Sequence, residues 1–385
     1  MQNFEFYNPT RIVFGEDTID QLDNLVPKGA RVLLLYGGES ARKNGTLGEA
    51  RSFLPSREVL EFGGIEPNPT YEKLMEAVEI VRQKQVQFLL AVGGGSVIDG
   101  TKFIAAAADY DGEAWEILET RGKGVKSAMP FGSVLTLPAT GSEMNASAVV
   151  TRKSTLEKLP FRSPFVFPKF SILDPKKTYT LPNRQLANGV ADAFTHVMEQ
   201  YLTYPAGARV QDRFSEGLLQ TLIEIAPAVL SKEVDYNTRA NLMWTATLAL
   251  NSLIGAGVPQ DWSTHMIGHE MTALYGIDHA RTLAIVLPAN LQVRRDAKRE
   301  KLLQYAERVW EITEGSEDQR IDDAIQATRN FFESLGLPTR LSDYEIDAGQ
   351  IEILISKLKS HGLTELGERG DVSLEVSRRI LDLCL

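Results

Sequence analysis

Gln87-Phe-Leu-Leu-Ala-Val-Gly-Gly-Gly-Ser-Val-Ile-Asp99 is the stretch that decides the fold. A short unbroken apolar run reads as a strand buried on both faces, as in a parallel sheet. It stops at three glycines, and a helical pattern then runs through the alanines at 105 to 108. In that order, backbone N–H groups and a helix N-terminus both face an incoming anion. The turn departs from the common dinucleotide fingerprint. Gly93-x-Gly95-x-x-Ile98 carries Ile where Gly or Ala belongs, and it follows a third strand. Taken alone, the stretch leaves a phosphate cradle and a plain tight turn both open.

Working outward, Arg31-Val-Leu-Leu-Leu-Tyr36 is a second buried run, stopped by Gly37-Gly38. A helix is expected from about Ala41 to Phe53, a strand from Arg57 to Phe62, and an amphipathic helix from Thr70 to Lys84 with Leu74, Val78 and Val81 on one face. The order βαβαβ, closed by right-handed crossovers, is half of a doubly wound sheet. Upstream, Phe4 to Phe14 alternates apolar and polar residues around Asn8-Pro9, which predicts a strand or hairpin whose edge is free to pair with a second subunit. Downstream, the strand Val134-Leu-Thr-Leu137 runs into Pro138-Ala-Thr-Gly-Ser-Glu143. Ligands of open α/β sheets bind at such strand ends, so the two turns support each other.

After Ile172-Leu-Asp-Pro175 helical periodicity takes over. Helices are expected over 185–201, 211–230, 237–254, 263–275, 298–312 and 321–335, and near 350 and 375. The expected architecture is an α/β dinucleotide-binding domain with a Rossmann-like parallel sheet over residues 1–181, then an all-α domain over 182–385, with the boundary near Leu181-Pro182.

A chain of 385 residues suits two cores rather than one, and 43% apolar with 24% charged residues is ordinary for a globular protein. Lys and Arg number 41 against 51 Asp and Glu, a net charge of −10, which argues against nucleic-acid and anionic-membrane partners. Ala240 to Gln260 lacks charge, but Asn241, Thr245, Thr247, Asn251 and Ser252 interrupt it, which favours a buried helix over a membrane span. The single cysteine, Cys384, excludes an intrachain disulfide and suits a reducing cytoplasm. No signal-peptide pattern is seen near Met1.

Four of the five histidines fall into a pattern. Asp192 and His196 are four apart, as are His265 and His269, so each pair shares a helix face. His279 lies 14 residues beyond His265, past Gly276, where a loop can return it to that helix. One carboxylate with several imidazoles suits Fe(II) or Zn(II), whereas Mg or Ca wants mainly oxygen. Spacing alone leaves a metal site and hydrogen-bonded core histidines both open. The order His265-x-x-x-His269-Glu270 also differs from the His-Glu-x-x-His of zinc peptidases.

The motifs taken together resemble the iron-containing alcohol dehydrogenase family, and within it the NADPH-dependent aldehyde reductase and butanol dehydrogenase branch. They are Phe62-Gly-Gly-Ile-Glu-Pro-Asn-Pro69, Gly93-Gly-Gly-Ser-Val-Ile-Asp99, Thr136-Leu-Pro-Ala-Thr-Gly-Ser-Glu143, Asn188-Gly-Val-Ala-Asp192 with His196, and Gly257-Val-Pro-Gln-Asp-Trp-Ser-Thr-His265 with His269 and His279. The resemblance implies a dehydroquinate synthase-like architecture and one divalent ion, Fe2+ or Zn2+, on Asp192, His196, His265 and His279. It implies that His269 is a non-ligand near the nicotinamide, orienting it or relaying a proton, and that Asp99 handles a proton at the same end. The implied cofactor is NADP(H), with NAD as the alternative, held by Gly37, Gly38, Ser40, Gly94, Gly95, Ser96, Asp99, Thr136, Thr140, Lys158 and Leu181.

An NAD enzyme favours an acidic residue after the first strand to bind the ribose 2'-hydroxyl. Tyr36-Gly-Gly-Glu-Ser40 offers room, a hydroxyl and nearby Lys43, with Glu39 the one departure from the NADP-preferring pattern. The implied activity is hydride transfer between the nicotinamide and a short- to medium-chain aldehyde or primary alcohol, in a cytoplasmic homodimer, with a cleft between the domains. No Lys or Arg occurs from Ala240 to Ala280 or from Gly189 to Ala208, which disfavours a phosphorylated or polycarboxylate substrate. Two rival readings are a metal- and NAD-dependent lyase of the dehydroquinate synthase type, which would need such a basic pocket, and a non-catalytic NADP-binding protein.

Overall fold

A computed structural model describes residues 1–385, which form two compact units. The first comprises residues 7–182 with 234–247, and the second comprises 1–6, 183–233 and 248–385.

The first unit is built on six parallel strands: β1 (Arg11–Phe14), β2 (Arg31–Tyr36), β3 (Glu58–Phe62), β4 (Phe88–Gly94), β5 (Phe131–Leu137) and β8 (Phe170–Leu173). Their spatial order is β1-β8-β5-β4-β2-β3. Val32, Leu33, Leu34 and Leu35 are all fully buried because successive side chains on a strand point to opposite faces, and both faces are covered. Leu33, Leu35, Leu89 and Ala91 join the core made with helices Tyr71–Lys84 and Gly95–Ala108, while Val32, Leu34, Leu90, Val92 and Val134 line the other face. Each such Leu or Val contributes roughly 1.5–3 kcal/mol by burial. The chain leaves β2 for β3 on one side and returns to β4 on the other, so the sheet's switch point falls between β2 and β4. Tyr36 pairs with Val92 there, which sets the turn after β2 beside the turn after β4.

Several details differ from the sequence expectation. Only Arg11–Phe14 of the N-terminal stretch is a strand, an edge strand parallel to β8. Pro9 has no N–H to give a ladder, and Asn8 instead ties the backbone to itself and to Met144 O (2.8 Å). The helix expected over 41–53 is two short ones, Ser40–Lys43 and Thr46–Ser52, broken at Gly45, whose φ of 84° is left-handed. Residues 147–162, to which sequence pattern assigns no element, form an antiparallel hairpin of β6 (Ser147–Arg152) and β7 (Glu157–Arg162).

The second unit is helical apart from a short antiparallel pair, Glu365–Leu366 with Val372–Ser373. Its framework includes helices Asn183–Tyr201, Arg209–Val229, Ser263–Tyr275 and His279–Val293. The last was not expected, since Pro288 lies inside it. The helix expected over 237–254 ends at Ala249. Beyond it Ser252 is left-handed (φ 74°) and the Asn251 side chain accepts from the Leu253 N–H (3.0 Å). No helix in the chain is long and apolar enough to cross a membrane.

Candidate metal centre and cofactor cradle

Helix Asn183–Tyr201 is buried on every side from Leu186 to Tyr201. A helix so enclosed carries polar side chains only where they have a task or a partner. Asp192, His196 and Glu199 are such residues, 3%, 4% and 2% exposed, at spacings that put them on one face. Helices Ser263–Tyr275 and His279–Val293 pack against each other closely because Gly268 has no side chain; a Cβ there would lie 2.7 Å from Thr282 Oγ1. Gly276, left-handed at φ 67°, ends the first of these helices, and the chain reverses to place His279 in the first turn of the second.

The result is a cluster. Ligating atoms of Asp192, His265 and His279 lie within 4.8 Å of one another. Asp192 Oδ1 is 3.7 Å from His196 Nε2 and 3.8 Å from His279 Nε2, and the His196 and His265 rings stack with centroids 4.7 Å apart. Ligands that share an ion at about 2.1 Å sit ~3–4 Å from one another, and Asp192, His265 and His279 are near that arrangement, while His196, outside the three-residue group, approaches through Asp192 and the His265 ring. Asp192 Oδ1 is buried and accepts no hydrogen bond. A carboxylate oxygen in that position calls for a cation. The donor set of one carboxylate and three imidazoles therefore fits a divalent ion of the Fe(II) or Zn(II) class. His269 is also buried, its ring 5.0 Å from that of His279, outside the three-residue group.

The elements that carry His265 and His279 are tied to the Asp192 helix. Asp278, next to His279, accepts from Asn188 Nδ2 (2.9 Å) and Arg184 Nε (2.8 Å) on the Asp192 helix. Glu199 Oε1 accepts from the Thr264 N–H (2.7 Å), and Oε2 accepts from the His265 N–H (3.3 Å) while lying against His265 Nδ1. Burial pushes the Glu199 carboxyl well above its usual range, and the Asp261 carboxylate adds to that. Asp261 is in turn paired with Lys298 (2.9 Å), which also meets Glu368 (3.0 Å). Sequence reasoning missed Glu199 and Asp278. The signal for Glu199 was its place seven residues after Asp192 on the same helix face.

The other unit brings together most of the residues expected to hold the cofactor. Gly37 and Gly38 follow β2; Gly94 ends β4, and Gly95 and Ser96 open the helix after it; Thr136 lies in β5 and Thr140 just beyond it. The turns after β4 and β5 touch: a Cβ on Gly95 would lie 2.3 Å from Thr140 Oγ1, and one on Gly93 would lie 2.5 Å from Val97 Cγ2. Leu181 follows Thr180, whose hydroxyl is 3.3 Å from Asn44 Nδ2 beyond the turn after β2. Ser40 opens a helix just past that turn, and Glu39 before it is exposed.

Lys158, on β7, is 7% exposed and donates to Asn68 Oδ1 (2.8 Å), so it is no solvated surface lysine. Asp99 accepts from Ser142 Oγ and from the Val149 N–H (2.9 Å). Buried Lys102 donates to Ser142 Oγ (2.8 Å), Asn145 Oδ1 (2.8 Å) and Ser147 O (2.7 Å). Burial raises the Asp99 carboxyl despite Lys102, and brings the Lys102 ammonium down to about 8. The carboxylate oxygens of Asp99 are thus engaged, one with the turn after β5 and the other with β6.

With this geometry in view, the chain belongs to the iron-containing alcohol dehydrogenase family: residues 9–175 match that family's model, and residues 186–363 match the family's C-terminal model. Among its relatives, the NADPH-dependent aldehyde reductase YqhD of Escherichia coli is 61% identical over 384 residues, covering 99% of each chain. A probable NADH-dependent butanol dehydrogenase of Bacillus subtilis is 42% identical over 367 residues, 94% of this chain and 95% of its own. The crystal structure of Escherichia coli YqhD superposes with a TM-score of 0.99 at 60% identity, over 100% of this chain and 99% of that one. NADH-dependent butanol dehydrogenase A of Thermotoga maritima does so with a TM-score of 0.94 at 34% identity, over 100% and 99% of the two chains.

Proposed function

We propose that this protein is a divalent-metal-dependent, NADPH-linked aldehyde reductase that also works as an alcohol dehydrogenase, with short- to medium-chain aldehydes or primary alcohols as substrates. The observation that carries the reading is the buried Asp192 oxygen facing two imidazoles, in a family of alcohol dehydrogenases. We assign Asp192, His196, His265 and His279 as the residues that hold the metal. The chemistry supplied in the loaded enzyme is Lewis-acid polarisation of a carbonyl oxygen by the ion and hydride donation by the nicotinamide.

The chain's own residues orient and shield. Burial of the Asp192 cluster excludes water, which strengthens charge interactions there. We assign His269, beside His279, to orienting the nicotinamide or moving a proton. The glycine turns after β2 and β4 present backbone N–H groups to the cofactor phosphates, with Thr136, Thr140, Ser96, Lys158 and Leu181 beside them. Asp99 we assign to holding the turn after β5. Ser40 and Lys43 by the turn after β2, with the 61% identity to an NADPH-dependent reductase, support NADP over NAD. An uncharged substrate is supported by Arg184 and Arg281, the cations near His279, which both face Asp278 (2.8 and 3.7 Å).

We further infer a homodimer, because Phe4, Phe6 and Tyr7 are 52%, 44% and 66% exposed, and a cytoplasmic protein, since Cys384 is the only cysteine. Oxidation of NADPH and NADH against a panel of aldehydes tests the reading. It predicts one alcohol formed per NADPH oxidised, with NADPH preferred. Turnover without net nicotinamide oxidation would contradict it.

A further inference from the structure

We propose that Glu199 is the positioning residue that fixes His265 for metal binding, an inference resting on the reading of Asp192, His265 and His279 as a metal centre. Imidazole offers a lone pair at Nε2 only when the proton sits on Nδ1. An oxygen that accepts from Nδ1–H selects that tautomer, fixes the ring plane and makes Nε2 a better donor. Glu199 Oε2 lies against His265 Nδ1, and His265 is one of the three residues whose ligating atoms gather within 4.8 Å.

The carboxylate is itself rigid. It is 2% exposed, and its oxygens also accept from the Thr264 and His265 N–H groups (2.7 and 3.3 Å), donors in the first turn of helix Ser263–Tyr275 that lack intrahelical partners. Its backbone carbonyl accepts from the Asp261 N–H (2.9 Å), which joins it to the Asp261–Lys298–Glu368 group. Asp192, His196 and Glu199 project from one helix face at i, i+4 and i+7. One helix thus supplies two donors to the centre and the orienting group for a third, so their relative positions are set by a single rigid element.

The competing role for Glu199 is purely structural, as a remote cap on helix Ser263–Tyr275. E199Q separates the two, because the side chain keeps its shape but has one carbonyl oxygen. With that oxygen accepting from the Thr264 N–H, the amide NH2 faces His265 Nδ1 and donates to it, which favours the Nε2–H tautomer. The experiment compares wild type, E199Q, E199A and D192A by nitrogen NMR of 15N-histidine-labelled, metal-free protein and by Zn2+ competition against a chelator.

The expected result is Nδ1–H at His265 in wild type, a shift to Nε2–H in E199Q, and Zn2+ affinity lowered about 10–100-fold in E199Q and E199A. An E199Q protein that keeps the Nδ1–H tautomer and binds Zn2+ within twofold of wild type overturns the proposal, even if its melting temperature falls. Should E199A not fold, isosteric E199Q decides alone. Unchanged Zn2+ affinity in D192A would instead break the metal-site reading, while the tautomer still reports on Glu199.

Discussion

At Gly95 one added methyl group would land 2.3 Å from Thr140 Oγ1, whereas at His265 the side chain is the working part and a second side chain, Glu199, stands behind it. On the proposed function, the sheet unit offers its cofactor mainly backbone, at turns where Gly93, Gly94 and Gly95 leave no room for side chains. The helical unit gathers carboxylate and imidazole side chains from three helices, with Glu199 against His265 and with Asp278, beside His279, tied to Arg184 and Asn188. Damage should follow the same division. Added volume harms the first region, and lost charge harms the second.

The largest effect is expected at Asp192. D192A should weaken metal binding by more than the roughly 100-fold that marks the upper range for a supporting residue, while leaving NADPH affinity of the metal-free protein unchanged. Metal analysis after gel filtration and a fluorescence titration with NADPH check the two halves. Equal loss of both would break the division. The converse is G95A, where overpacking against Thr140 costs about 1–3 kcal/mol of stability and should weaken NADPH binding, with metal content unaltered.

A smaller effect sharpens the helical side. D278A removes the anchor that Arg184 and Asn188 give to the residue before His279, and should weaken Zn2+ binding about 10-fold by chelator competition. The smallest effect concerns the apolar cluster that holds Ile267 and Met271 of the His265 helix together with Cys384. Burial pushes the Cys384 thiol up to about 12, so it stays protonated at pH 8.5, where an exposed thiol is partly thiolate. Alkylation by iodoacetamide at pH 8.5 should be negligible until denaturant is added. Fast alkylation of the native protein would show that the cluster opens readily. The same shift has a sign for stability. Above about pH 9 the unfolded thiol ionises while the folded one keeps its proton, so stability should fall as pH rises through that range.

What was legible in the sequence follows from which signals are local. The runs Arg31–Tyr36 and Gln87–Val92 announce buried parallel strands because both faces must be apolar, and their glycine stops announce the turns. The i,i+4 spacing of Asp192 with His196 is likewise a local property of one helix. Glu199 was hidden because its partner, His265, is 66 residues away, although its place seven residues after Asp192 puts it on the same helix face. The β6–β7 hairpin was hidden because its alternation is weak and its turn is closed by Leu156 at φ 54°, a residue type that rarely adopts that conformation. Pro288 masked helix His279–Val293, where neighbouring packing outweighs the lost hydrogen bond. Asp99 was expected to handle a proton, and its ties to Ser142 and the Val149 N–H were hidden because those partners are 43 and 50 residues away.

The central claim is that the Asp192 cluster holds a divalent ion on which aldehyde reduction depends. Metal-stripped protein titrated with Fe(II) or Zn(II), with NADPH oxidation and bound metal measured at each step, tests it most directly. Activity should be near zero at the start and rise in proportion to bound metal until one ion per chain is reached. Full activity in the stripped protein, or activity indifferent to bound metal, would contradict it.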